Sequence, residues 1–373
     1  MAESPAKIQL PFHNGAQAIP RRFRPARSIL TVVGLVALLL IFAFTSGEGG
    51  PGGPPPPPPD HPMQNQEDQL HEAAKHPIAP HIPEPPKGSC NGMNCVAYSQ
   101  YAGRASALCN ALMIFETLHK TGSQADRVLL HNQDWKAGDK NYMGKLLSRA
   151  KEYQVKLVPV KIAPTHGDDW SWQETFTKLY AFSQTQYKRI LALDPESVLL
   201  QQMDDLFDTP PAKLAATMAY WLSDIKLSTN VLLIEPNKVD FDRIMAAIAR
   251  RMPNEYDTDI VNKLFGSEAT LIPHRRNNLI TGEFRSGNNH AAYLGEGVEW
   301  NATLALEEAR FVHFSDWNGP KPWDRENPDD VKNAVVPCWK HPDAEKEDCS
   351  SRDAWLRIYR DYLKRRMAVC DGR

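Results

Sequence analysis

The chain lacks an excess of charge of either sign, because 43 lysines and arginines are balanced by 45 aspartates and glutamates to a formal net charge of −2. Such a balance provides no basic footprint for the phosphate backbone of a nucleic acid. Cysteine is also scarce, with six in 373 residues, and the spacings match no zinc module. The composition therefore argues against a nucleic-acid-binding protein and against a structural zinc domain.

Long apolar runs are rare as well, and one stands out near the N-terminus. Ile29–Thr45 is uncharged and apolar over about 17 residues, near the shortest length that spans a bilayer. Four arginines precede it and no positive charge follows before Lys75, so the positive-inside rule places residues 1–28 in the cytosol and the rest in the lumen. A cleaved signal peptide is the alternative, but Phe44-Thr45-Ser46 is a poor cleavage site. We therefore predict an uncleaved transmembrane signal anchor.

The segment after the apolar run cannot form a hydrophobic core. Gly47–Pro59 is almost entirely glycine and proline, which favours an extended polyproline II spacer. Proline-rich polar sequence continues to about Gly88. We predict a luminal stem over residues 46–89 and one globular luminal domain over residues 90–373, which is long enough for a single large core.

All six cysteines lie on the predicted luminal side, where disulfides persist. Cys338 and Cys349 flank a charged loop that contains proline and are the most plausible pair, and Cys90 with Cys95 is a second candidate. Cys109 lies in an apolar stretch and is predicted to be a buried thiol. Asn301-Ala302-Thr303 is the only N-glycosylation sequon, which is usable in a luminal domain.

Strand-like and helix-like segments alternate along the globular part. The predicted strands are Val96–Gln100, Arg127–His131, Lys156–Lys161, Arg189–Asp194, Leu227–Glu235 and Arg310–Phe314. The predicted helices are Ala105–His119, Met143–Tyr153, Phe176–Thr185, Val239–Arg251 and Thr258–Phe265. This order favours an α/β fold with a mostly parallel central sheet flanked by helices. Ligands of such sheets bind at the carboxyl ends of strands, where we expect Asp194, Ser228 and His313.

Two carboxylates, Asp194 and Glu196, follow one apolar strand at positions i and i+2. In an extended chain these side chains lie on the same side. Two hard oxygen ligands suit a divalent cation, and a histidine as third ligand favours Mn²⁺ over Mg²⁺. Asp-Pro-Glu is also typical of an ordinary turn or helix start, so these residues alone leave both interpretations open.

His313 and Lys321 lie eight residues apart, with a turn predicted at Asn318-Gly319-Pro320 between them. An imidazole can bind a metal ion and an ammonium group can hold a diphosphate, so the turn would let the chain wrap a ligand. The alternative is an aromatic-rich loop that packs on the core.

Several motifs occur in a recognisable order. The T-x-T-K-L segment that begins at Thr175, the apolar strand that ends in Asp194-Pro-Glu196 and the Asp205-Leu-Phe207 segment resemble motifs of the glycogenin-like family, glycosyltransferase family 8. His313-Phe-Ser…Lys321-Pro-Trp323 is similar to the closing H-F…K-P-W motif of that family. The resemblance covers residues 95–323. Segments near Asn110, Pro273 and Leu279 look closer still to the fungal Golgi N-acetylglucosaminyltransferase branch.

The resemblance implies a GT-A type nucleotide-diphospho-sugar transferase fold, retention of anomeric configuration and Mn²⁺ as cofactor. It also implies a UDP-sugar donor, a glycan or glycoprotein acceptor, and a single-pass type II protein of the Golgi membrane. By motif, it implies Asp194, Glu196 and His313 as metal ligands, Tyr98, Tyr101, Lys178, Asp194, Gly319 and Lys321 at the donor, and Asp257 with Lys178 as catalytic residues. From the residues alone, Asp257 is equally plausible as the N-cap of a helix.

Three departures from the family pattern keep other functions open. Glu196 replaces an aspartate, Pro195 offers no backbone N–H, and Ser228 with Asn230 replaces an Asn and a Gly. We therefore weigh three hypotheses: a transferase that moves N-acetylglucosamine from UDP to a glycan, a catalytically weak luminal glycan-binding or scaffold protein, and a self-glucosylating glycogen primer. The predicted anchor argues against the primer, because glycogen is cytosolic.

Overall fold

The computed structural model describes residues 92–161, 174–285, 287, 289–315, 321–324, 327–340 and 346–371. The predicted anchor Ile29–Thr45, the stem, Cys90 and Gly319 lie outside these residues. Across the described part of the chain, no helix combines the length and apolar character that a bilayer crossing requires.

Within the described residues, ten strands make up two sheets. They are β1 Val96–Ala102, β2 Asp126–Asn132, β3 Val155–Val160, β4 Arg189–Leu193, β5 Ser197–Leu199, β6 Leu214–Met218, β7 Leu227–Ile234, β8 Thr270–Ile272, β9 Leu279–Ile280 and β10 Phe311–His313. The central sheet has seven strands in the order β3-β2-β1-β4-β7-β6-β8. Its neighbours pair in parallel except where β7 meets β4 and β6. Because β1, β4 and β7 are buried along their whole length, their apolar runs are those of strands covered on both faces. The predicted α/β fold with a mostly parallel central sheet is confirmed.

Strand β7 corrects one expectation about strand ends. Ser228 is the second residue of this strand and does not end it, and β7 runs antiparallel to β4 with Val231 opposite Leu193. The antiparallel direction brings the first residues of β7 to the edge of the sheet where β4 ends. Ser228–Asn230 therefore reach the expected edge by a different route from the one predicted.

A second sheet of three strands, in the order β5-β10-β9, corrects another expectation. His313 ends β10 in this small sheet and not a strand of the central one. It is nevertheless close to the carboxylates, because β5 follows Glu196 directly and His313 pairs antiparallel with Ser197. One short strand thus connects the histidine to the end of β4.

Eight α-helices cover the sheets within the described ranges. They are α1 Ala105–Lys120, α2 Tyr142–Arg149, α3 Lys238–Ala249, α4 Asp257–Phe265, α5 Ala291–Leu294, α6 Ala302–Glu308, α7 Pro328–Val335 and α8 Ser350–Cys370. Short 3₁₀ helices span Gly92–Cys95, Ala150–Tyr153, Glu174–Ser183, Asp204–Asp208 and Thr281–Arg285. Asparagine side chains accept backbone N–H groups at the starts of α2, α3, α6 and α7, which satisfies donors that a helix leaves unpaired.

The C-terminal helix α8 was absent from the predicted elements, and it corrects the prediction for Cys109. Cys109 of α1 forms a disulfide with Cys370 at the end of α8, so it is not a free thiol. The predicted Cys338–Cys349 disulfide is confirmed. Cys95 is disulfide-bonded as well, and its predicted partner Cys90 lies outside the described residues. The Cys109–Cys370 disulfide therefore fastens the end of α8 to α1.

Candidate active site

A buried lysine holds two carboxylates together at one edge of the central sheet. The Nζ atom of Lys178 lies 2.9 Å from Oδ2 of Asp194 and 3.1 Å from Oδ2 of Asp257, and it donates to the carbonyl oxygen of Thr229 at 2.7 Å. All three charged side chains are less than a tenth exposed. Three unpaired buried charges would be costly, and here the lysine pairs with both carboxylates. Such a buried charged cluster is typical of a functional site.

Each member of this cluster comes from a different element. Lys178 lies in the 3₁₀ helix Glu174–Ser183, Asp194 follows β4, and Asp257 is the first residue of α4. The side chain of Asn262 ties α4 to the start of β7, because it donates to the carbonyl oxygen and accepts the N–H of Leu227. The negative Asp257 also sits at a helix N-terminus, where the helix dipole favours an anion.

The N-cap interpretation of Asp257 is wrong. Tyr256 is the N-cap of α4, and Asp259 accepts the backbone N–H of Tyr256 at 3.0 Å. Asp257 is left to pair with Lys178 and to line the cavity of the site.

The electrostatics of Asp194 follow from these contacts. Burial alone would raise the pKa of its carboxyl, but the charge of Lys178, together with the nearby His313, outweighs burial and holds that pKa well below its ordinary value. Burial alone would lower the pKa of Lys178, but the charges of Asp194 and Asp257 outweigh burial and raise that pKa above its ordinary value. Asp194 therefore stays an anion and Lys178 a cation at neutral pH.

His313 approaches Asp194 from the second sheet, with Nε2 at 3.7 Å from Oδ1. Its Nδ1 is buried and has no hydrogen-bond partner within the part of the chain that the structure describes. The next residue, Phe314, is fully buried and edge-on to the rings of Tyr359 at 5.4 Å and Tyr362 at 5.3 Å. Helix α8 thus fixes the backbone from which the imidazole projects.

Glu196 is engaged by two cations. Its carboxylate accepts from Arg104 and lies 3.5 Å from Nζ of Lys321. Arg104 also lies 3.7 Å from the buried carboxylate of Glu174. The ligand atoms of Asp194, Glu196 and His313 do not form a close cluster of three. Among the described residues only Glu347 with Cys338 and Cys349 forms one, and those two cysteines are bonded to each other as a disulfide.

Glu174 is an unusual carboxyl that the sequence analysis missed. Burial raises its pKa to about 7, although the charge of Arg104 lowers it and the charge of Glu196 raises it further. A Cβ atom added at Gly103 would lie 2.8 Å from the Glu174 side chain, so the residue at position 103 must be glycine for this carboxyl to fit. Glu174 is therefore a buried carboxyl beside Arg104, with Oε2 at 3.7 Å from Nε of Arg104.

Apart from Lys178, which lies behind Asp194 and Asp257, the charged side chains of the site line one cavity of about 570 Å³. Its described lining includes Tyr101, Arg104, Glu174, Asp194, Glu196, Trp221, Thr229, Asn230, Asp257, His313, Lys321 and Trp323. The volume lies within the range of small-molecule sites, and the polar groups converge on it from both sheets. A cavity of similar size, about 640 Å³, lies between α1, α6 and α8, but its lining includes none of the predicted site residues.

The two predicted tyrosines lie in different places. Tyr101 lines the cavity and donates from its hydroxyl to Asp194 at 3.2 Å. Tyr98 is fully buried in the core, where its hydroxyl donates to Asp204 at 2.7 Å and its ring meets Phe207 edge-on. Three positions along a strand place two side chains on opposite faces, and this periodicity separates the pair.

The structure thus brings together Tyr101, Lys178, Asp194, Glu196, Asp257, His313 and Lys321 around one cavity, and it places Tyr98 elsewhere. Arg104, Glu174 and Trp221 line the same cavity and were not predicted. The position of Glu174 directly before the T-x-T-K-L segment was the available signal for that residue. The other two carry no local signal, since they reach the cavity through a helix start and a hairpin.

A divalent metal ion fits part of this arrangement. Bonds of about 2.1 Å allow the Asp194 and His313 atoms, 3.7 Å apart, to share one ion. The carboxylate of Glu196 is held by Arg104 and Lys321 instead, so two of the three predicted donors fit a common ion in this conformation.

No family model matches the chain. Over 287 residues it is 43% identical to Glucose N-acetyltransferase 1 of Gibberella zeae, which covers 74% of this chain but 62%, under two thirds, of that protein. Over 295 residues it is 38% identical to the Aspergillus fumigatus protein of the same name, with 74% and 76% covered. The solved glycosyltransferase GlyE of Streptococcus pneumoniae TIGR4 gives a TM-score of 0.46 at 15% identity over 75% of this chain and 63% of its own.

Proposed function

The chain belongs to the fungal glucose N-acetyltransferase 1 family, and we propose that it transfers N-acetylglucosamine from UDP to a glycan acceptor. The motif resemblance to the fungal N-acetylglucosaminyltransferase branch of the glycogenin-like glycosyltransferases predicted this membership. The observation that carries the proposal is the buried Lys178 cluster with Asp194 and Asp257, which faces the same cavity as His313 and Lys321. We further propose a GT-A type fold, a retaining reaction, and a Golgi membrane anchor at Ile29–Thr45.

The proposed cofactor is Mn²⁺, which would be held by Asp194 and His313, with Glu196 as the third ligand in competition with Arg104. A bound divalent cation supplies positive charge to the diphosphate of the donor. Oxygen and nitrogen donors together suit Mn²⁺, and the persistent negative charge of Asp194 supports binding.

The side chains of the cavity match the charges that develop during transfer. The acceptor oxygen forms a bond to the anomeric carbon, the bond from that carbon to the phosphate oxygen breaks, and its electron pair stays on the β-phosphate of UDP. The acceptor proton passes to that departing oxygen. Lys321 would stabilise the phosphate charge, and Asp257 would favour the positively charged sugar. Lys178 would keep Asp194 ionised and would hold the carboxylates of Asp194 and Asp257 in place.

One observation favours a second candidate, a luminal glycan-binding or scaffold protein with weak catalysis. The pairing of Glu196 with Arg104 occupies a carboxylate that the metal would need. If this pairing persists in solution, the cavity would bind a saccharide without efficient sugar transfer.

Release of UDP by the purified full chain separates the two candidates. We expect Mn²⁺-dependent hydrolysis of UDP-N-acetylglucosamine, in preference to UDP-glucose and UDP-galactose, that stops when the metal is chelated.

Glu196→Gln should lower turnover by more than ~10-fold, about 1.4 kcal/mol of transition-state stabilisation. Exposed Glu299 provides the control, since Glu299→Gln should not alter turnover. Absence of hydrolysis with all three donors would favour the scaffold.

A further inference from the structure

The hairpin between β6 and β7 presents apolar side chains to solvent beside the cavity. Trp221 is 36% exposed, Leu222 45% and Ile225 92%. Exposed apolar groups that cluster in this way often mark a binding surface. Of these three side chains, Trp221 alone lines the cavity that contains Asp194 and Asp257. The hairpin therefore places one indole at the wall of the proposed active site.

The position of Trp221 is fixed by the residue before it. Tyr220 meets the indole edge-on, with ring centroids 5.1 Å apart, and stacks on His274 at 4.6 Å. The hydroxyl of Tyr220 accepts the backbone N–H of Ile280 at 3.2 Å, which ties the hairpin to the second sheet. A rigidly supported aromatic ring binds a ligand with little loss of conformational entropy.

The other tryptophan of the cavity is committed to the core. Trp323 contacts Phe314 edge-on at 5.8 Å and Tyr362 at 6.2 Å, and Nζ of Lys321 lies 5.8 Å from its ring centroid. Trp221 has only the edge contact with Tyr220 among the ring contacts of the described residues, so its indole is the one available to a ligand.

We propose that Trp221 is the platform on which the sugar ring of the acceptor stacks. The C–H bonds on one face of a pyranose carry partial positive charge, which the negative face of an indole attracts, while the hydroxyls remain free for polar partners. A ring on Trp221 lies in the same cavity as the groups assigned to the donor, Asp257 and Lys321. The inference rests on the proposed function for the role of the saccharide as acceptor.

The test is saturation-transfer-difference NMR of the full chain with methyl α-mannoside, methyl α-glucoside and methyl β-galactoside. We expect at least one glycoside to bind with the strongest transfer to the protons of one ring face. Trp221→Ala should weaken its binding about tenfold or more, and Trp221→Phe should restore part of it. Ile225→Ala is the matched control, because Ile225 lies in the same hairpin but is not part of the cavity lining, and it should bind as the unaltered chain does.

Three results would overturn the inference: no glycoside binds, Trp221→Ala binds as well as the unaltered chain, or Ile225→Ala weakens binding as much as Trp221→Ala. Hydrolysis of UDP-sugars by the same preparations keeps the two proposals separate. Binding that depends on Trp221 without any hydrolysis would leave the saccharide platform standing and contradict the transferase. Hydrolysis without such binding would contradict the platform alone.

Discussion

Lys178 is the residue on which the charge pattern of the site depends, and its removal gives the first prediction. Lys178→Met would leave the buried carboxylates of Asp194 and Asp257 without their shared cation. Breaking a buried ion pair from one side costs about 3–5 kcal/mol, so we expect a loss of this size in the free energy of unfolding by urea. The control is Lys213→Met, which removes a half-exposed pair with Glu268 and should cost less than about 1 kcal/mol. Equal losses would contradict the buried cluster.

A second prediction concerns His313 as a metal ligand. Its imidazole lies 3.7 Å from Asp194 while Phe314 anchors the backbone, so His313→Ala should leave the fold intact. The variant should bind UDP more weakly in the presence of Mn²⁺, as measured by titration calorimetry. His119→Ala, an exposed change on α1, should have no effect. Equal Mn²⁺-dependent UDP affinity in the His313 variant and the unaltered chain would rule out this ligand.

The third prediction uses the raised pKa of Glu174. Because its pKa in the folded chain is about 7 against an ordinary 4.5, the folded state binds more protons than the unfolded state between these values. This carboxyl therefore makes the fold less stable as pH rises through that window. Glu174→Gln does not titrate, so its unfolding free energy relative to the unaltered chain should rise from pH 5 to pH 8, by at most about 3 kcal/mol. A pH-independent difference, as expected for Glu299→Gln, would contradict the buried carboxyl.

At the scale of elements, local patterns predicted five of the seven strands of the central sheet to within a few residues and missed β6 and β8. Arg189–Leu193 is an apolar strand that ends at a carboxylate, so its pattern indicated both the element and the site. Tyr98 shows where pattern reasoning stops, since the side of a strand that faces a ligand depends on register and packing. Arg104 and Trp221 could not be predicted, because a helix start and a hairpin bring them to the cavity only after both sheets have formed.

Helix α8 shows a second limit. Its buried residues, including Trp355, Tyr359 and Tyr362, alternate with many charged residues, which hides the apolar face in the sequence. Its support of Phe314 depends on contacts between residues about 45 positions apart, which no local pattern reveals. The Cys109–Cys370 bond was missed for the same reason, since a partner 261 residues away leaves no local spacing to recognise.

That disulfide gives the fourth prediction. Replacing both Cys109 and Cys370 by serine removes a cross-link that closes a loop of 261 residues, whereas the Cys338–Cys349 bond closes 11. Longer loops lose more entropy in the unfolded chain when they are closed, and a native disulfide typically contributes about 2–4 kcal/mol. We expect the Cys109/Cys370 double variant to melt at a lower temperature than the Cys338/Cys349 double variant. The reverse order would show that α8 is held by its packing alone.

At the scale of the whole molecule, the sequon bears on the proposed topology. Asn301 is exposed and caps α6, because its Oδ1 accepts the backbone N–H of Leu304 at 2.9 Å. An N-linked glycan attaches at Nδ2, so one side chain can carry the glycan and still cap the helix. The structure is therefore compatible with glycosylation at this position.

The last prediction tests that topology in microsomes. If Ile29–Thr45 anchors the chain with its domain in the lumen, protease should not reach the domain, and an endoglycosidase should reduce its mass. Thr303→Ala should abolish the mass shift at unchanged stability, because it removes the sequon and keeps the cap. Asn301→Gln should abolish the shift and also cost about 1 kcal/mol, since it removes the capping acceptor. A domain that is cleaved by protease and carries no glycan would overturn the luminal placement and, with it, the Golgi proposal. The buried cluster of Lys178, Asp194 and Asp257 does not depend on this topology, so the proposed sugar transfer would then have to take place in the cytosol.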